Sequence, residues 1–454
     1  MRGARSRTLA AGLAALLAAA GCGEVASGPR GPVVDSLADA TGDGVAVIGE
    51  DVVLVGSGLG GDGLRVTIDG REARILERSP SRAVVRVPAR SGVGEVAVVA
   101  SDASGESAPI GLVVRRLAWA TNFTDRSVSA LSVDGTRVEL LGRVPIDVAP
   151  GPFAVEFTPD GATAVVACSS GFLPPAIVQA LAPGAPPGDT VAIIDVPTGR
   201  IRATVRTGEA SRPTGIAIAP DGSVAWVTNY ATSTITVIDL AAGLAVGEIP
   251  VPRQPEELAV DGDGRHLLVA SDAGTASVVD ARARRVIATF PTGGNDPSGV
   301  ALSADGRTGW VTNSFTDASL GEDGTLSVVD LADPAAPVVV STIADGIGPT
   351  PYDVRLSPDG RRAVVTDLNV IFVPLEIGPG SISLLDLSTD PPAIAVIPVG
   401  TAPIHAKFTP SGDAILAGNG LSQTISVVDV ARAAVVDTVA LGTTIGPADV
   451  AIQP

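Results

Sequence analysis

From residue 33 onward the chain is a succession of short runs in which apolar and polar residues alternate, broken by Gly, Pro and Asp-Gly turns. Alternation of period two buries one face of a strand, so the runs predict β-structure. VVLVGSGLGG, LRVTIDGREARIL, AVVRVPARSGVGEVAVVAS and IGLVVRR fall between residues 33 and 115, with Asp69-Gly70 as a hairpin turn. They predict a β-sandwich of about 85 residues.

Beyond about Leu117 the alternation becomes periodic. A proline, two residues, an apolar strand and a PDG-type turn recur as PFAVEFTPDG from Pro152, PTGIAIAPDG from Pro213, PEELAVDGDG from Pro255, PSGVALSADG from Pro297, PYDVRLSPDG from Pro351 and PIHAKFTPSG from Pro403. PADVAIQP from Pro447 ends the chain. The seven copies lie 61, 42, 42, 54, 52 and 44 residues apart, so the base unit is about 42 residues, the length of a four-stranded propeller blade. Each first strand is followed by a second ending in a polar residue (Asn122, Asn229, Asp272, Asn313, Asp367), a third ending in Asp, and a fourth such as RVIATFPTG. The periodic region opens on a second strand, LAWATN, and closes on a first strand. The last strand must complete a sheet begun by the first three. The expectation is one seven-bladed propeller over 117–454, closed by three strands plus one.

Composition agrees with an all-β chain. Fifty-three Gly and 36 Pro in 454 residues exclude a helical bundle, and 45% hydrophobic residues exclude disorder. A net charge of −18 argues against a nucleic-acid partner, because an acidic chain repels phosphate. Nearly all positive charge is Arg; Lys407 is the one lysine.

The first 21 residues carry Arg2, Arg5 and Arg7 and then an apolar stretch too short to span a bilayer. Ala19-Ala20-Gly21-Cys22 resembles a bacterial lipobox, which implies cleavage before Cys22 and acylation of it. Gly23, rather than Asp, implies sorting to the outer membrane. Residues 22–32 are small and polar and read as a tether. The exported protein is then held on the cell envelope by lipid, with Cys168 as its one free thiol, expected buried and inert in the apolar AVVAC.

Two further resemblances rest on short motifs. V-G-S-G-L at Val55 to Leu59, V-T-I-D-G at Val66 to Gly70 and the run from Val87 to Val98 make residues 33–115 similar to the IPT/TIG immunoglobulin-like family, mostly a spacer or interaction module. The WVTN...VID pattern makes residues 117–454 resemble the YVTN-type propeller repeat. That resemblance implies a fold and leaves function open, since propellers host binding proteins, lactonases, lyases and redox enzymes.

Insertions after the second strand, at 169–189, 314–323 and 368–380, are expected to rise from one face, the same face as the loops leading into each first strand. The first strands should line a channel. Their positions two and four after the proline point to the axis. Those positions hold Glu156, Glu257, Asp353, Arg355, His405, Lys407 and Asp449. One reading is an anion-binding patch built on Arg355, Lys407 and His405. The other is a hydrated channel whose charges pair with one another. Trp119, Trp226 and Trp310, and the recurring Asp and Asn at strand ends, read as blade packing and turn hydrogen bonding.

Two functions compete. One is an interaction module, likewise monomeric and cofactor-free, that binds a protein or glycan through the loop-bearing face. The other is a lactonase- or lyase-like enzyme, with Asp353, His405, Asp449 and Glu257 converging at the channel mouth. Neither a metal-ligand motif nor a nucleophile elbow is visible, and haem ligation lacks His and Met.

Overall fold

The computed structural model describes residues 31–454 apart from 40–43, 90, 147–150, 170–187, 315–323, 349, 373–374 and 444–445. The signal sequence, Cys22, nearly all of the tether and most of the first two insertions lie outside the described residues.

Every regular element among the described residues is a strand. Two sheets form the N-terminal part. One runs Val33–Ala38, Asp51–Ser57, Arg82–Arg86, Arg74–Ser79; the other Val45–Val47, Ile110–Arg115, Gly94–Asp102, Arg65–Ile68, Arg71–Glu72. Alternate residues of each face inward. Val52, Leu54 and Val85 from the first meet Val66, Val98 and Leu112 from the second in one core. Asp69 and Gly70 turn the hairpin with φ of 54° and 69°, a left-handed geometry that Asp and Gly tolerate and that suits strand twist.

Beyond Leu117 the unit is a four-stranded antiparallel sheet. Among the described residues six follow in chain order, each begun by an inner strand that starts on a proline: Pro152–Phe157, Pro213–Ile218, Pro255–Val260, Pro297–Leu302, Pro351–Leu356 and Pro403–Phe408. Proline suits that place because the first residue of a strand can forgo its N–H. A further sheet draws on both ends of the region. Leu117–Asn122, Ser127–Asp134 and Arg137–Pro145 take Val450–Ile452 as their inner strand, with Trp119 opposite Ala451. Each inner strand packs beside the next, and Val450–Ile452 packs beside both Pro403–Phe408 and Pro152–Phe157. Position three, as in Val155, Ile216, Leu258 and Val354, is buried between neighbouring sheets, and position five is buried at Phe157 and Ile218 and partly buried at Val260, Leu302 and Leu356.

The inner strand slips register directly after its proline, at positions one and two. The slip occurs between Pro213 and Ile216, Pro255 and Leu258, Pro297 and Val300, and Pro351 and Val354. Such a bulge leaves backbone groups unpaired and re-aims side chains. In four sheets a second-strand threonine fills the gap. Thr228 accepts the Gly215 N–H (2.8 Å), Thr312 the Gly299 N–H (2.7 Å), Thr366 the Asp353 N–H (3.0 Å) and Thr121 the Asp449 N–H (2.9 Å). The same hydroxyl donates to a carbonyl of the next inner strand: Thr312 to Tyr352 at 2.8 Å, Thr366 to Ile404 at 2.9 Å. The third letter of WVTN is therefore a stitch between sheets.

The two parts meet at Gln453, which is fully buried. Its Nε2 donates to the carbonyls of Ile48 (2.9 Å) and Gly161 (2.7 Å), and its Oε1 accepts the Leu117 N–H (2.8 Å). Arg86 pairs with Asp51 at 2.7 Å and reaches Asp160 at 3.4 Å. Gly49, at φ 79°, approaches so closely that a Cβ would stand 2.6 Å from the Ala162 nitrogen. The contact falls on the PDG turn of the first copy, at the end of the sheet away from the proline. Val33 pairs with Ser57, at the far end of the strand whose other end, Asp51, faces the joint.

Replacing Thr366 with valine should test the stitch. It leaves the Asp353 N–H and the Ile404 carbonyl unpaired in a buried site, at a cost of about 2 kcal/mol. Urea unfolding should show that loss for T366V and no more than about half of it for T366S, which keeps the hydroxyl. T366V as stable as the parent would contradict the role.

Candidate functional site

The bulges turn position two of each inner strand toward the axis, where charged side chains from different sheets meet. Glu257 Oε2 lies 3.0 Å from Arg355 Nη2, and Asp353 Oδ1 lies 3.1 Å from Arg355 Nε. His405 sits in the middle. Its Nε2 is 3.4 Å from Glu257 Oε1, an ion-pair contact without hydrogen-bond geometry, and its Nδ1 is 3.6 Å from Asp449 Oδ1. Nδ1 also lies 2.7 Å from the Ala448 carbonyl. Lys407 Nζ is 2.6 Å from Glu156 Oε2. Asp449 is fixed further by the N–H groups of Val155 (2.9 Å) and Val450 (2.7 Å).

All seven sequence-predicted residues thus come together. Glu257 belongs to Pro255–Val260, and Pro297–Leu302 stands between that strand and Arg355; the pairs reach across the axis. Room for them comes from glycine. A Cβ on Gly215 would stand 2.7 Å from the Glu256 carbonyl, and one on Gly299 would stand 2.4 Å from the Tyr352 carbonyl. The two copies with small inner faces let the next charged strand move in.

Burial and charge act against each other here. Burial would lower the His405 imidazole, but the carboxylates of Asp449, Asp353 and Glu257 outweigh it and raise it to about 9. Burial would raise Glu257, and contact with His405 and Arg355 instead brings it down to about 2. Burial raises Asp449 against the pull of His405 and Lys407. Arg355 loses to burial and gains more from Asp353 and Glu257, so its guanidinium stays charged. Both fixed cations are engaged, Arg355 and Lys407 each with 18% of the side chain exposed. An anion would have to displace a carboxylate to reach either. Nearby, a cavity of about 210 Å³ is lined by Glu156, Arg355 and the apolar Phe157, Ile216, Leu258 and Val260.

Other sequence candidates resolve into packing and turns. Trp119 stands edge-to-face with Phe157, centroids 5.4 Å apart, and Trp226 and Trp310 are buried in clusters between sheets. Asp195, Asp239, Asp280, Asp386 and Asp429 accept N–H groups two or three residues on. Asn122, Asn229, Asn313 and Asn419 each donate to third-strand hydroxyls. Cys168 is buried, and burial pushes its thiol up to about 12, so it stays neutral. The insertion at 368–380 contains a small hairpin, Val370–Phe372 with Leu375–Ile377. Sequence reasoning missed the threonine stitches, the spacing role of Gly215 and Gly299, and Glu256. The signals for them were the recurring Thr of WVTN, the glycine copy directly before an acidic copy, and the Glu-Glu doublet in an apolar strand.

No family model matches the chain, and no curated protein matches it in sequence. Solved structures do. One, of Kuenenia stuttgartiensis hydrazine synthase, superposes with a TM-score of 0.56 at 19% identity, over 67% of this chain and 90% of that one. Another, a functionally unknown protein from Desulfotomaculum acetoxidans DSM 771, gives 0.57 at 14% identity, over 74% and 98%. At such identities the likeness is one of fold.

The axial charges predict a pH dependence. The His405 contribution is full below about pH 6.5, its unfolded value, and is lost as pH rises through its folded value of about 9. Its size is on the order of 3 kcal/mol. The Glu257 contribution is full above about 4.5 and is lost as pH falls toward 2. Melting temperatures between pH 6 and pH 10 should fall steeply in the parent and stay nearly flat in His405→Gln. Parallel curves would contradict the pairing.

Proposed function

We propose that the protein is a lipid-anchored binding module of the cell envelope. In this reading Cys22 carries the acyl chains, on the outer membrane. Residues 33–115 are an immunoglobulin-like spacer of the IPT/TIG kind. Residues 117–454 are a seven-bladed propeller of the YVTN kind, closed by three strands plus one, and a monomer. Its proline end, where the second-strand insertions also leave the sheets, recognises a protein or glycan partner. The sheet order, with Val450–Ile452 beside Leu117–Asn122, supports the closure.

The joint at Gln453 carries the functional reading. The sandwich abuts the PDG-turn end of the ring, and the chain enters the sandwich at its far pole, about 20 Å of strand away. The order outward from a lipid on Cys22 is tether, sandwich, PDG-turn end, proline end. The face with the longest loops then points away from the membrane, where a partner can reach it.

The lactonase- or lyase-like alternative requires an accessible, unengaged base or a ligand set at the mouth. Asp353, His405 and Glu257 are buried and occupied with each other. Among the described residues no three His, Cys, Asp or Glu side chains are placed to hold a metal ion. These observations favour binding.

Cys22→Ser should move the protein from the membrane to the soluble fraction. A photo-crosslinker at Leu421, 43% exposed at the proline end, should capture an envelope partner, and one at Asp359, exposed on a PDG turn, should not. Equal capture from both positions, or capture from Asp359 alone, would count against the proposed face.

A further inference from the structure

At the proline end stands a second polar cluster that the axial network does not use. Its floor is Glu256, at position one of Pro255–Val260 and 8% exposed. The bulge holds the residue firmly, since Thr214 (3.1 Å) and Thr228 both donate to its carbonyl. The Tyr352 hydroxyl meets one side of the carboxyl, and Oε2 is buried with no hydrogen-bond partner. The rim is half-buried. Tyr230 donates to Asp272 Oδ2 at 3.0 Å and accepts from Gln254 Nε2 at 2.8 Å, and Arg212 lies 4.9 Å over the Tyr230 ring.

Charge at this place is lopsided. Burial, then the carboxylates of Asp272, Glu257 and Asp296, hold the Glu256 carboxyl well above the usual range, which favours its neutral form. Arg212 faces it as a cation from the rim, and burial lowers that guanidinium too. A buried carboxyl with one oxygen unpartnered, near the Asp272 carboxylate, can take up a positive charge.

We propose that this cluster is a subsite for an organic cation, a guanidinium or primary ammonium group, which pairs with Glu256 and Asp272. The proposal rests on the proline-end binding reading and gives its ligand a chemistry. An inorganic ion suits the cluster poorly, because among the described residues the carboxyl groups are not gathered at coordination distance. A guanidinium on a flexible stem can bridge acceptors that a metal ion cannot. As the cation enters, Glu256 gives up its proton to solvent, so the neutral acid and the incoming charge become an ion pair.

Calorimetric titration of the detergent-solubilised full-length protein tests this, with agmatine, acetyl-Gly-Arg-Gly-amide and calcium chloride as probes. Agmatine or the peptide should bind, and Glu256→Gln should weaken either by at least about tenfold. Asp272→Asn should act in the same direction. The binding heat should change with the ionisation enthalpy of the buffer in the parent and not in E256Q, which separates proton release from a folding defect. A tighter peptide identifies a polypeptide side chain as the source, and a tighter agmatine identifies a free amine. Equal affinity of parent and E256Q, no binding of either organic cation, or calcium binding tighter than both would overturn the proposal. If the cations fail while Leu421 still crosslinks a partner, only this inference falls. If Leu421 captures nothing either, the binding reading falls with it.

Discussion

A strand that begins on a proline and bulges at the next two residues leaves an N–H unpaired inside the protein. The threonine hydroxyl that accepts it governs much of the remaining architecture. Thr228, Thr312 and Thr366 each satisfy a bulge in their own sheet, Thr121 accepts the Asp449 N–H just before Val450–Ile452, and all four donate to the inner strand of the next sheet. One hydroxyl thus fixes both the local backbone and the spacing between sheets. The bulge re-aims positions one and two, so an otherwise apolar strand can present Glu256 and Glu257, or Tyr352 and Asp353, at the axis and at the proline end.

The bulges bring buried charges together, and isolated buried charges are expensive. Desolvation costs each ion several kcal/mol, repaid only when partners and hydrogen bonds are nearly complete. The axial group meets the need for partners by ion pairs, while Asp353 Oδ1, Arg355 Nε and His405 Nε2 stay in ion-pair contact without hydrogen-bond geometry. Glu257 is held by Arg355 and His405, Asp449 by two backbone N–H groups and His405, and Lys407 by Glu156. Strands far apart in sequence are tied together by these pairs. Glu256, one residue from Glu257, lacks such a set. The contrast between these two adjacent glutamates separates a structural role at the axis from a recognising role at the proline end.

The repeat was legible in the sequence because it is written in backbone chemistry. Proline at a strand start and Asp-Gly in a turn are local requirements, and all six full-length inner strands begin on the proline that predicted them. Positions two and four were likewise readable from period two: Glu257, Asp353, Arg355, His405 and Asp449 share one set of contacts, and Lys407 pairs with Glu156. What period two could not reveal was reach. That Glu257 contacts Arg355 and His405 across the axis depends on Gly215 and Gly299, whose missing side chains admit the next strand. Glu256 was hidden because position one lies in the bulge, where strict alternation no longer says which way a side chain points. The joint at Gln453 was invisible for a different reason. It unites residues 48, 117, 161 and 453, a contact that no local pattern encodes.

The axial network converges on His405, the imidazole between Glu257 and Asp449. The chain has two histidines, so an isotope-labelled sample gives an imidazole spectrum simple enough to follow residue by residue. The most direct test is an NMR titration of His405 from pH 5 to pH 10.5, assigned with His266→Gln. A closed ion network predicts a midpoint near 9, the value its carboxylate partners impose against burial. A midpoint at or below 6.5, the ordinary histidine value, would contradict that closure and reopen the axis as a site of free, reactive groups.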